Sequence, residues 1–361
     1  SNHFHGIKSA EILEASRFNI AKKLHAKFNE VIFTSGATES VHLAIKGISE
    51  SLSPGRIVIS NVEHPAVLYA ANSLLKRGWI IEYWPVDERG NIKIELIDKM
   101  LSKPTKLVSI IWGQNEIGTI QPIKEISDQC KSRNIIFHTD ATQILPHSLI
   151  NFSELNVDML TASAHKFQGP KGIGILLVKE QIFELIQAIT KGGNQEFSKR
   201  SGTEPVPLIG GMSKAFDFIP NNLKSINDIT SFKNSKILNL TSNLLQMLKV
   251  IPGVIITGNE FNINRLPNHI SLLISDKHGV PVNSRLLIRM LSKRGISVSS
   301  GSACSSSIQH DNITLKNMGF EDIWLQSSIR ISLGNWLEND EIEYVANIFS
   351  DVIESINKNI H

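Results

Sequence analysis

The sequence has 361 residues, of which 41% are hydrophobic and 20% are charged, as is typical of a globular protein. Its formal net charge of +3 is too small to indicate a nucleic-acid groove or a membrane surface. No apolar run approaches the roughly 18 residues of a membrane span, and the first residues do not form a signal peptide. The two cysteines exclude a disulfide framework and a cysteine-based metal cluster, so we expect a cytoplasmic protein without a metal site.

Helix and strand patterns alternate through the first part of the chain. The helical spacing of apolar residues predicts helices over 7–28, 41–49, 65–77, 94–101, 123–133 and 182–189. Short apolar runs predict strands over 31–33, 56–60, 80–84, 107–112, 135–137, 159–163 and 173–179. This alternation up to about residue 218 predicts a mostly parallel sheet flanked by helices.

The pattern changes after residues 220–222, where Pro and Asn mark a plausible boundary. A long helix over 225–248 is expected to link this boundary to a smaller α+β unit. Its strands are predicted over 254–257, 268–275 and 328–333, and its helices over 283–293 and 340–356. We therefore expect a large domain over 1–222 and a small domain over 223–361.

An acid and a lysine follow two neighbouring predicted strands. The run at 135–137 leads to Asp140, and the run at 159–163 leads directly to Lys166. Ligands of open α/β sheets bind beyond the carboxyl ends of the strands, where this pair suits pyridoxal phosphate. A lysine can bind the aldehyde covalently, and an acid can pair with the pyridine nitrogen. Taken alone, the pair also fits a loop-capping Asp140 and an ordinary surface lysine.

Other strand ends carry polar groups. The turn at 34–40 leads from a strand into a helix and is typical of an anion site or of an ordinary helix cap. His64 lies at a strand-to-helix junction, where an imidazole can stack on a cofactor, move protons or have no role. The long polar loop over 191–204 has residues suited to a phosphate.

The two cysteines lie in different settings. Cys304 lies among Gly and Ser residues, which favours an exposed, reactive thiol over an incidental one in a flexible loop. Cys130 falls within a predicted helix and is expected to pack as a small apolar residue. Arg330 stands in an apolar strand and needs an anion, either a structural partner or a substrate carboxylate.

Together these motifs resemble the cysteine desulfurases of the class V aminotransferase superfamily, which have the fold type I of pyridoxal-phosphate enzymes. The similarity is to the iron–sulfur-assembly branch, the NifS and IscS type, and it extends over essentially the whole chain. The motifs that carry it occur in the family's order: SGATES, EH at His64, NEIG, HTDATQ, SAHKFQGPKGIG, RSGT, SSGSAC and SSIRISLG. The resemblance implies a large domain with a mostly parallel sheet and a smaller α+β domain.

The resemblance also implies roles in binding pyridoxal 5'-phosphate. Lys166 would hold the cofactor covalently, and Asp140 would pair with its pyridine nitrogen. Gln143 would bond to the ring hydroxyl, and His64 would stack on the ring and assist proton transfer. The phosphate would be bound by residues of two turns, which are Ala37, Thr38, Ser163 and His165.

Catalysis and partners follow from the same resemblance. Asn115 and Arg330 would bind the carboxylate of L-cysteine, and Cys304 would take its sulfur as a persulfide, leaving L-alanine. Thr203 would reach the phosphate of a neighbouring subunit, which implies a homodimer. The sulfur would pass to an acceptor protein, either an iron–sulfur scaffold or a thiolation protein.

Two departures from the family pattern accompany this resemblance. The family's leading segment and its scaffold-docking tail are absent from this sequence, so we expect a longer natural chain or an altered substrate entrance. Two other functions stay open at this point. One is another enzyme of the fold, such as a selenocysteine lyase or an aminotransferase. The other is a non-catalytic subunit of sulfur assembly.

Overall fold

A computed structural model describes residues 2–221, 235–260, 264–301 and 312–359. The chain divides into two compact units. The first comprises Ser1–Trp84, Lys93–Gly113 and Gln121–Ile229. The second comprises Pro85–Ile92, Gln114–Ile120 and Thr230–His361. The domain boundary predicted between residues 222 and 223 lies outside the described residues and stays a prediction.

The second unit includes two short segments from the first third of the chain. Backbone hydrogen bonds explain the membership of Gln114–Ile120, because the Ile120 N–H donates to the Asn264 carbonyl at 2.8 Å. Side-chain hydrogen bonds explain the membership of Pro85–Ile92, since the amides of Asn91 and Asn259 form two hydrogen bonds of 2.9 and 2.7 Å. These long-range pairings are not visible in the local sequence pattern.

The first unit is built on a seven-stranded sheet with the order β1-β7-β6-β5-β4-β2-β3. Its strands are β1 (Val31–Thr34), β2 (Arg56–Ser60), β3 (Ile80–Trp84), β4 (Thr105–Ile111), β5 (Ile136–Asp140), β6 (Met159–Ser163) and β7 (Gly174–Val178). Strands β2 to β6 are parallel where they pair, whereas β7 runs antiparallel to both of its neighbours. The predicted α/β class with a mostly parallel sheet is confirmed.

The middle strands are apolar because helices cover the sheet. Every residue of β6 and β7 is buried. Their side chains join an apolar core with the helices that follow β1 and β2, and this core includes Val41, Val67 and Met159. Each fully buried side chain of this kind contributes roughly 1.5–3 kcal/mol to folding. This core fixes the strand ends that carry the polar residues.

The α-helices of the first unit are α1 (Phe4–Lys23), α2 (Ala37–His42), α3 (Pro65–Asn72), α4 (Ile97–Met100), α5 (Ile123–Ser132), α6 (Glu180–Phe183) and α7 (Val206–Ala215). After α2 the chain continues in a π-type turn, Leu43–Gly47. Helix α1 ends earlier than predicted, because the chain turns at His25, which has a φ of 50°.

The helix predicted over 182–189 is wrong, since α6 ends at Phe183. Beyond this point the Gln187 N–H donates to the Gly47 carbonyl at 3.1 Å instead of continuing a helical ladder. A contact distant in sequence therefore replaces the local helical hydrogen bond.

The second unit is built on an antiparallel sheet with the order β10-β11-β9-β8. Its strands are β8 (Val254–Ile256), β9 (His269–Ile274), β10 (Ser299–Ser300) and β11 (Ser328–Ser332). Its helices are α8 (Lys236–Lys249), α9 (Ser284–Ser292), α10 (Ile313–Asn317) and α11 (Asn339–Asn359). Apolar residues of α8, α9 and α11 share a buried core with β9 and β11.

The long helix predicted over 225–248 is described only from Lys236 onward. There the Ser235 hydroxyl accepts the Leu238 N–H at 3.3 Å and caps the helix. Residues 222–234 lie outside the described part of the chain. Among the described helices, none has the length and apolar character needed to cross a bilayer.

Candidate active site

Asp140 ends β5 at the carboxyl edge of the parallel strands. Its carbonyl accepts the Trp112 N–H at 3.0 Å, just past the end of β4. Its Oδ1 accepts the Thr142 N–H at 3.0 Å, and the residue is only 5% exposed. Ligands of open α/β sheets bind at this edge, so the buried carboxylate lies where the sequence predicts a ligand-binding group.

Lys166 lies in a single 3-10 turn, Ala164–Phe167, that follows β6 directly. The turn is closed by the Gly169 N–H, which donates to the Ala164 carbonyl at 2.9 Å. A Cβ on Gly169 would lie 2.9 Å from that of Ala164, so only glycine fits there without a shift. Phe167 is buried and Lys166 is exposed, so the turn is anchored by one side chain and presents the other.

His64 is half-buried and caps α3, with its Nδ1 accepting the Ala66 N–H at 3.2 Å. Burial lowers its pKa below the ordinary 6.5; the Asp140 charge opposes this shift, and the Lys166 charge adds to it. The ring is therefore neutral at pH 7, with its proton on Nε2. Because both charges act on His64, the structure brings together the three residues predicted to face the reactive part of the cofactor.

Glu63 is a buried acid of this site to which the sequence analysis assigns no role. Its Oε1 accepts the Ser60 hydroxyl at 2.6 Å and the Ile111 N–H at 2.8 Å. Burial raises its pKa to about 8; the hydrogen bonds of Ser60 and Ile111 act in the opposite direction, and the Asp140 charge adds to the rise. A carboxyl directly before His64 at the end of an apolar strand is the one local feature that could have indicated it.

His138 is a second residue that the sequence analysis leaves without a role. It lies two residues before Asp140, so both side chains point to the same face of β5. Its Nδ1 is 2.7 Å from the Ser109 hydroxyl, and its Nε2 is 2.9 Å from the Thr161 hydroxyl. Burial lowers its pKa to about 3, so it is a neutral support for the strand end.

The turn between β1 and α2 lies against the end of β6. A Cβ on Gly174 would lie 2.7 Å from the Gly36 Cα, and one on Gly36 would lie 3.6 Å from the Ser163 hydroxyl. That hydroxyl is 3.0 Å from the His165 Nδ1. The structure thus brings the predicted phosphate residues Ser163 and His165 to the turn that leads into Ala37 and Thr38.

Thr38 is exposed in the first turn of α2. With Glu39 and Arg200 it lines a cavity of about 320 Å³. Arg200 donates through its Nε to Glu39 at 2.9 Å, which ties the polar loop over 191–204 to α2. Thr203 of that loop is exposed, and the structure of one chain does not test its predicted contact with a neighbouring subunit.

A buried ion pair holds the same polar loop. Arg17 of α1 donates to both Glu196 carboxylate oxygens, at 2.8 and 2.6 Å. The Glu196 Oε2 also accepts the Phe33 N–H of β1 at 2.7 Å. The guanidinium carbon of Arg17 lies 4.6 Å from the Phe33 ring centre and 5.0 Å from that of Phe197. The middle of the loop is therefore fixed to both α1 and β1.

Asn115 and Arg330, predicted to bind the substrate carboxylate, both belong to the second unit. The Arg330 Nη1 donates to the Asn115 carbonyl at 2.8 Å, and its Nε donates to the Ser299 hydroxyl at 3.2 Å. Burial raises the pKa of nearby Glu116 to about 7, while a hydrogen bond with Thr314 and the Arg330 charge oppose the rise. The sequence pattern alone assigns no role to Glu116.

Three further predictions have different outcomes. Cys304 lies outside the described residues, so its predicted role stays a prediction. Gln143 is half-buried in the turn after Asp140, and no described contact tests its predicted bond to the cofactor. Cys130 is fully buried, and burial raises its pKa to about 12, which agrees with its predicted packing role.

A separate cavity of about 410 Å³ lies at the amino ends of β5 and β6. Its lining includes Lys131, Asp158 and Lys179. Within the described part of the chain, none of the predicted site residues lines it. The candidate site is therefore the carboxyl edge with Asp140 and Lys166.

Comparison with known proteins identifies the family. The model of the Aminotransferase class-V family matches residues 1–345. The chain belongs to the class-V aminotransferases. It is 38% identical over 359 residues to cysteine desulfurase IscS of Dictyoglomus turgidum, covering 99% of this chain and 87% of that protein. It is 36% identical over 350 residues to cysteine desulfurase IscS of Clostridium botulinum, covering 96% and 85%.

Solved structures agree with this class-V assignment. A NifS-like protein aligns with a TM-score of 0.85 at 31% identity, covering 98% of this chain and 91% of that one. A NifS-like protein from Rickettsia africae aligns with a TM-score of 0.82 at 30% identity, covering 98% and 91%. The predicted family, fold class and pyridoxal-phosphate cofactor are confirmed.

The described residues of this class-V protein fit the cofactor. The buried Asp140 carboxylate suits the pyridine nitrogen, and the exposed Lys166 amine suits the aldehyde. The turn at Gly36 suits the phosphate, since its φ of 152° is one that L side chains rarely adopt, and the first turn of α2 follows it directly. No group of three or more potential metal ligands occurs among the described residues.

Proposed function

We propose that the protein is a cysteine desulfurase, which removes sulfur from L-cysteine and leaves L-alanine. The observation that carries this proposal is the grouping of Lys166, Asp140 and His64 in one unit, at the carboxyl edge of the sheet. The predicted reaction agrees with the names of relatives that are 36% and 38% identical to the chain. A non-catalytic subunit would have no need of this complete set.

When bound, pyridoxal phosphate supplies an electron sink that stabilises negative charge at the α-carbon of the substrate. We propose that Lys166 holds the cofactor and then accepts the α-proton of L-cysteine. Asp140 would hold a negative charge against the ring nitrogen, and Gln143 would bond to the ring hydroxyl. His64 is neutral at pH 7 because burial lowers its pKa. Its imidazole would stack on the ring, and its Nε2 would exchange protons.

The phosphate is proposed to bind at the turn before α2. Ala37 and Thr38 offer backbone N–H groups of the first helical turn, which lack helical partners. Ser163 ends β6 and its hydroxyl lies close to Gly36, while His165 is 3.0 Å from that hydroxyl through its Nδ1. This arrangement supports an anion site built from backbone groups and neutral side chains.

Sulfur transfer is proposed to use Cys304. Its thiolate attacks the substrate sulfur, so an S–S bond forms as the C–S bond breaks, and L-alanine leaves after protonation. Asn115 and Arg330 are proposed to bind the substrate carboxylate. Two observations support this role. Arg330 is hydrogen-bonded to Asn115, and its guanidinium is a cation that suits a carboxylate.

The partners are proposed on chemical grounds. An enzyme-bound persulfide needs an acceptor, so we propose an acceptor protein of iron–sulfur assembly or thiolation. The exposed Thr203 lies in the polar loop over 191–204, which Arg17 and Arg200 hold in place, and this supports a contact with a second copy of the chain. We therefore propose a homodimer, in the cytoplasm as predicted from the cysteine content.

The test measures alanine and sulfide formed from L-cysteine with a thiol reductant. We expect turnover in the wild type and none above background in Lys166→Ala or Cys304→Ala. The matched controls are Lys171→Ala, another exposed lysine nearby, and Cys130→Ala, the other cysteine; both should keep turnover. Borohydride reduction of the holoprotein, followed by peptide mass spectrometry, should find the cofactor on Lys166.

Two results would contradict the proposal. A cofactor-loaded wild type that forms neither alanine nor sulfide would exclude a cysteine desulfurase. Full turnover in Cys304→Ala would favour another enzyme of the fold, such as a selenocysteine lyase.

A further inference from the structure

Glu63 links the ends of two strands beside the proposed cofactor site. Its Oε1 accepts the Ser60 hydroxyl at the end of β2 and the Ile111 N–H at the end of β4. Its Oε2 is buried and has no hydrogen-bond partner among the described residues. Burying an ionised carboxylate that has one oxygen without a hydrogen bond costs much free energy, whereas burying a protonated carboxyl costs less.

The same carboxyl lies between two residues of the site. Ile111, which donates to Glu63, is the direct pairing partner of Asp140 across β4 and β5. His64 is the next residue along the chain and is neutral at pH 7, because burial lowers its pKa. A displacement of the Glu63 carboxyl would therefore shift two pieces of main chain: Ile111, which pairs with Asp140, and the segment that leads into His64.

Burial and the Asp140 charge outweigh the two hydrogen bonds that Glu63 accepts, so its protonated form is favoured. From β5, the Asp140 charge repels an ionised Glu63, and burial acts in the same direction. From β2 and β4 come only neutral donors, the Ser60 hydroxyl and the Ile111 N–H. Of the described residues, these are the groups that determine the charge of Glu63.

We propose that Glu63 is a positioning residue whose neutral carboxyl joins the ends of β2 and β4. This link holds His64 and Asp140 in place, and Asp140 then supplies the negative charge for the cofactor nitrogen. This inference rests on the proposed function, because it assumes that the cofactor binds at Asp140 and Lys166. It gives a chemical role to a buried acid that the reaction itself does not use.

The first test measures the binding of pyridoxal phosphate to the full-length apoprotein by fluorescence titration at pH 7. Glu63→Gln keeps the shape and the acceptor oxygen and should change the Kd by less than about threefold. Glu63→Leu removes the acceptor and should raise the Kd by about tenfold or more. Ser60→Ala is a milder variant that keeps the test usable if Glu63→Leu does not fold. It removes one donor to Glu63 and should raise the Kd by about threefold.

The matched control is Glu30, another buried glutamate of the first unit that accepts backbone N–H groups. Glu30→Gln and Glu30→Leu should lower the unfolding temperature without changing the Kd for the cofactor. A merely structural role of Glu63 predicts this same result for its own variants. Unchanged cofactor affinity in both Glu63→Leu and Ser60→Ala would therefore overturn the inference.

The second test detects the proton directly in the holoenzyme. Infrared difference spectra between the wild type and Glu63→Gln should contain the carbonyl stretch of a protonated carboxylic acid at pH 7. That band should disappear as the pH rises through about 8, which is the pKa of Glu63. A carboxylate band at pH 7 instead would overturn the neutral state.

Cysteine turnover in the same samples separates the two proposals. If the wild type releases sulfur, and Glu63→Leu and Ser60→Ala bind the cofactor as the wild type does, only the proposed role of Glu63 is refuted and the proposed function stands. A wild type that binds no pyridoxal phosphate refutes both the proposed function and this inference.

Discussion

At the scale of single residues, the site depends on how the fold controls charge. Asp140 is 5% exposed and carries its carboxylate at a strand end, while His64 and His138 are kept neutral by burial. Lys166 is exposed on a turn that its neighbour Phe167 anchors. Burial thus keeps both histidines of this site neutral at pH 7.

Replacing Asp140 by Asn should keep the shape of the strand end and remove its charge. The cofactor nitrogen would then lose its anionic partner, so we expect cysteine turnover to fall by about a hundredfold. Turnover at saturating cofactor is the measurement. Asp158→Asn, a half-buried acid at the opposite strand edge, is the control and should keep its turnover. Equal losses in the two variants would argue against a role of Asp140 at the cofactor.

His138 should make the stability of the protein depend on pH. Its folded-state pKa of about 3 lies below the ordinary 6.5, so the unfolded chain binds the proton more readily. The stabilisation is therefore present above pH 6.5 and is lost as the pH falls toward 3. Urea unfolding between pH 7 and about pH 5 should show a smaller loss for His138→Asn than for the wild type. Identical pH slopes would contradict the assignment.

At the scale of elements, α1, β1 and the polar loop over 191–204 are joined by one ion pair. Arg17 and Glu196 are both buried, and their side chains are 4% and 1% exposed. Glu196 itself has a φ of 49°, and Phe197 and Ser198 also lie in the left-handed region. The Glu196 carboxylate holds this strained stretch, because it accepts hydrogen bonds from two nitrogens of the Arg17 guanidinium and from the Phe33 N–H.

Arg17→Met should leave the Glu196 carboxylate buried without its cation. We expect a loss of about 3–5 kcal/mol in the free energy of unfolding, measured by urea denaturation. Lys124→Met, which removes the exposed pair with Asp128, is the control and should change it by less than about 1 kcal/mol. A loss in Arg17→Met no larger than in the control would contradict the importance of the buried pair.

The sequence predicted the parts of the site that local pattern determines. Asp140, Lys166 and His64 each follow an apolar run, so their place at the strand ends could be inferred from the order of residues alone. The role of Glu63 was not predicted, because its burial depends on the approach of β2 to β4, and its place directly before His64 is only an indirect local signal. The early end of α6 was missed for the same reason, since the Gly47 carbonyl that replaces the helical bond is distant in sequence.

At the scale of the whole molecule, the proposed homodimer has a testable consequence. The protein should have twice the 40.1 kDa mass of one chain in size-exclusion chromatography with light scattering. If Thr203 serves the neighbouring site, a hybrid of Lys166→Ala and Thr203→Ala subunits restores one intact site. We expect tight cofactor binding at half of the sites in the hybrid. A monomer, or a hybrid no better than Thr203→Ala, would exclude a shared site.

The membership of Pro85–Ile92 and Gln114–Ile120 in the second unit has a consequence for biosynthesis. Neither unit is a continuous stretch of polypeptide, so a chain emerging from the ribosome cannot finish one before starting the other. The Ile120 N–H meets its acceptor only after Asn264 has been synthesised. A fragment that stops near residue 222 should therefore be prone to aggregation, and the two halves cannot be exchanged between relatives as independent modules.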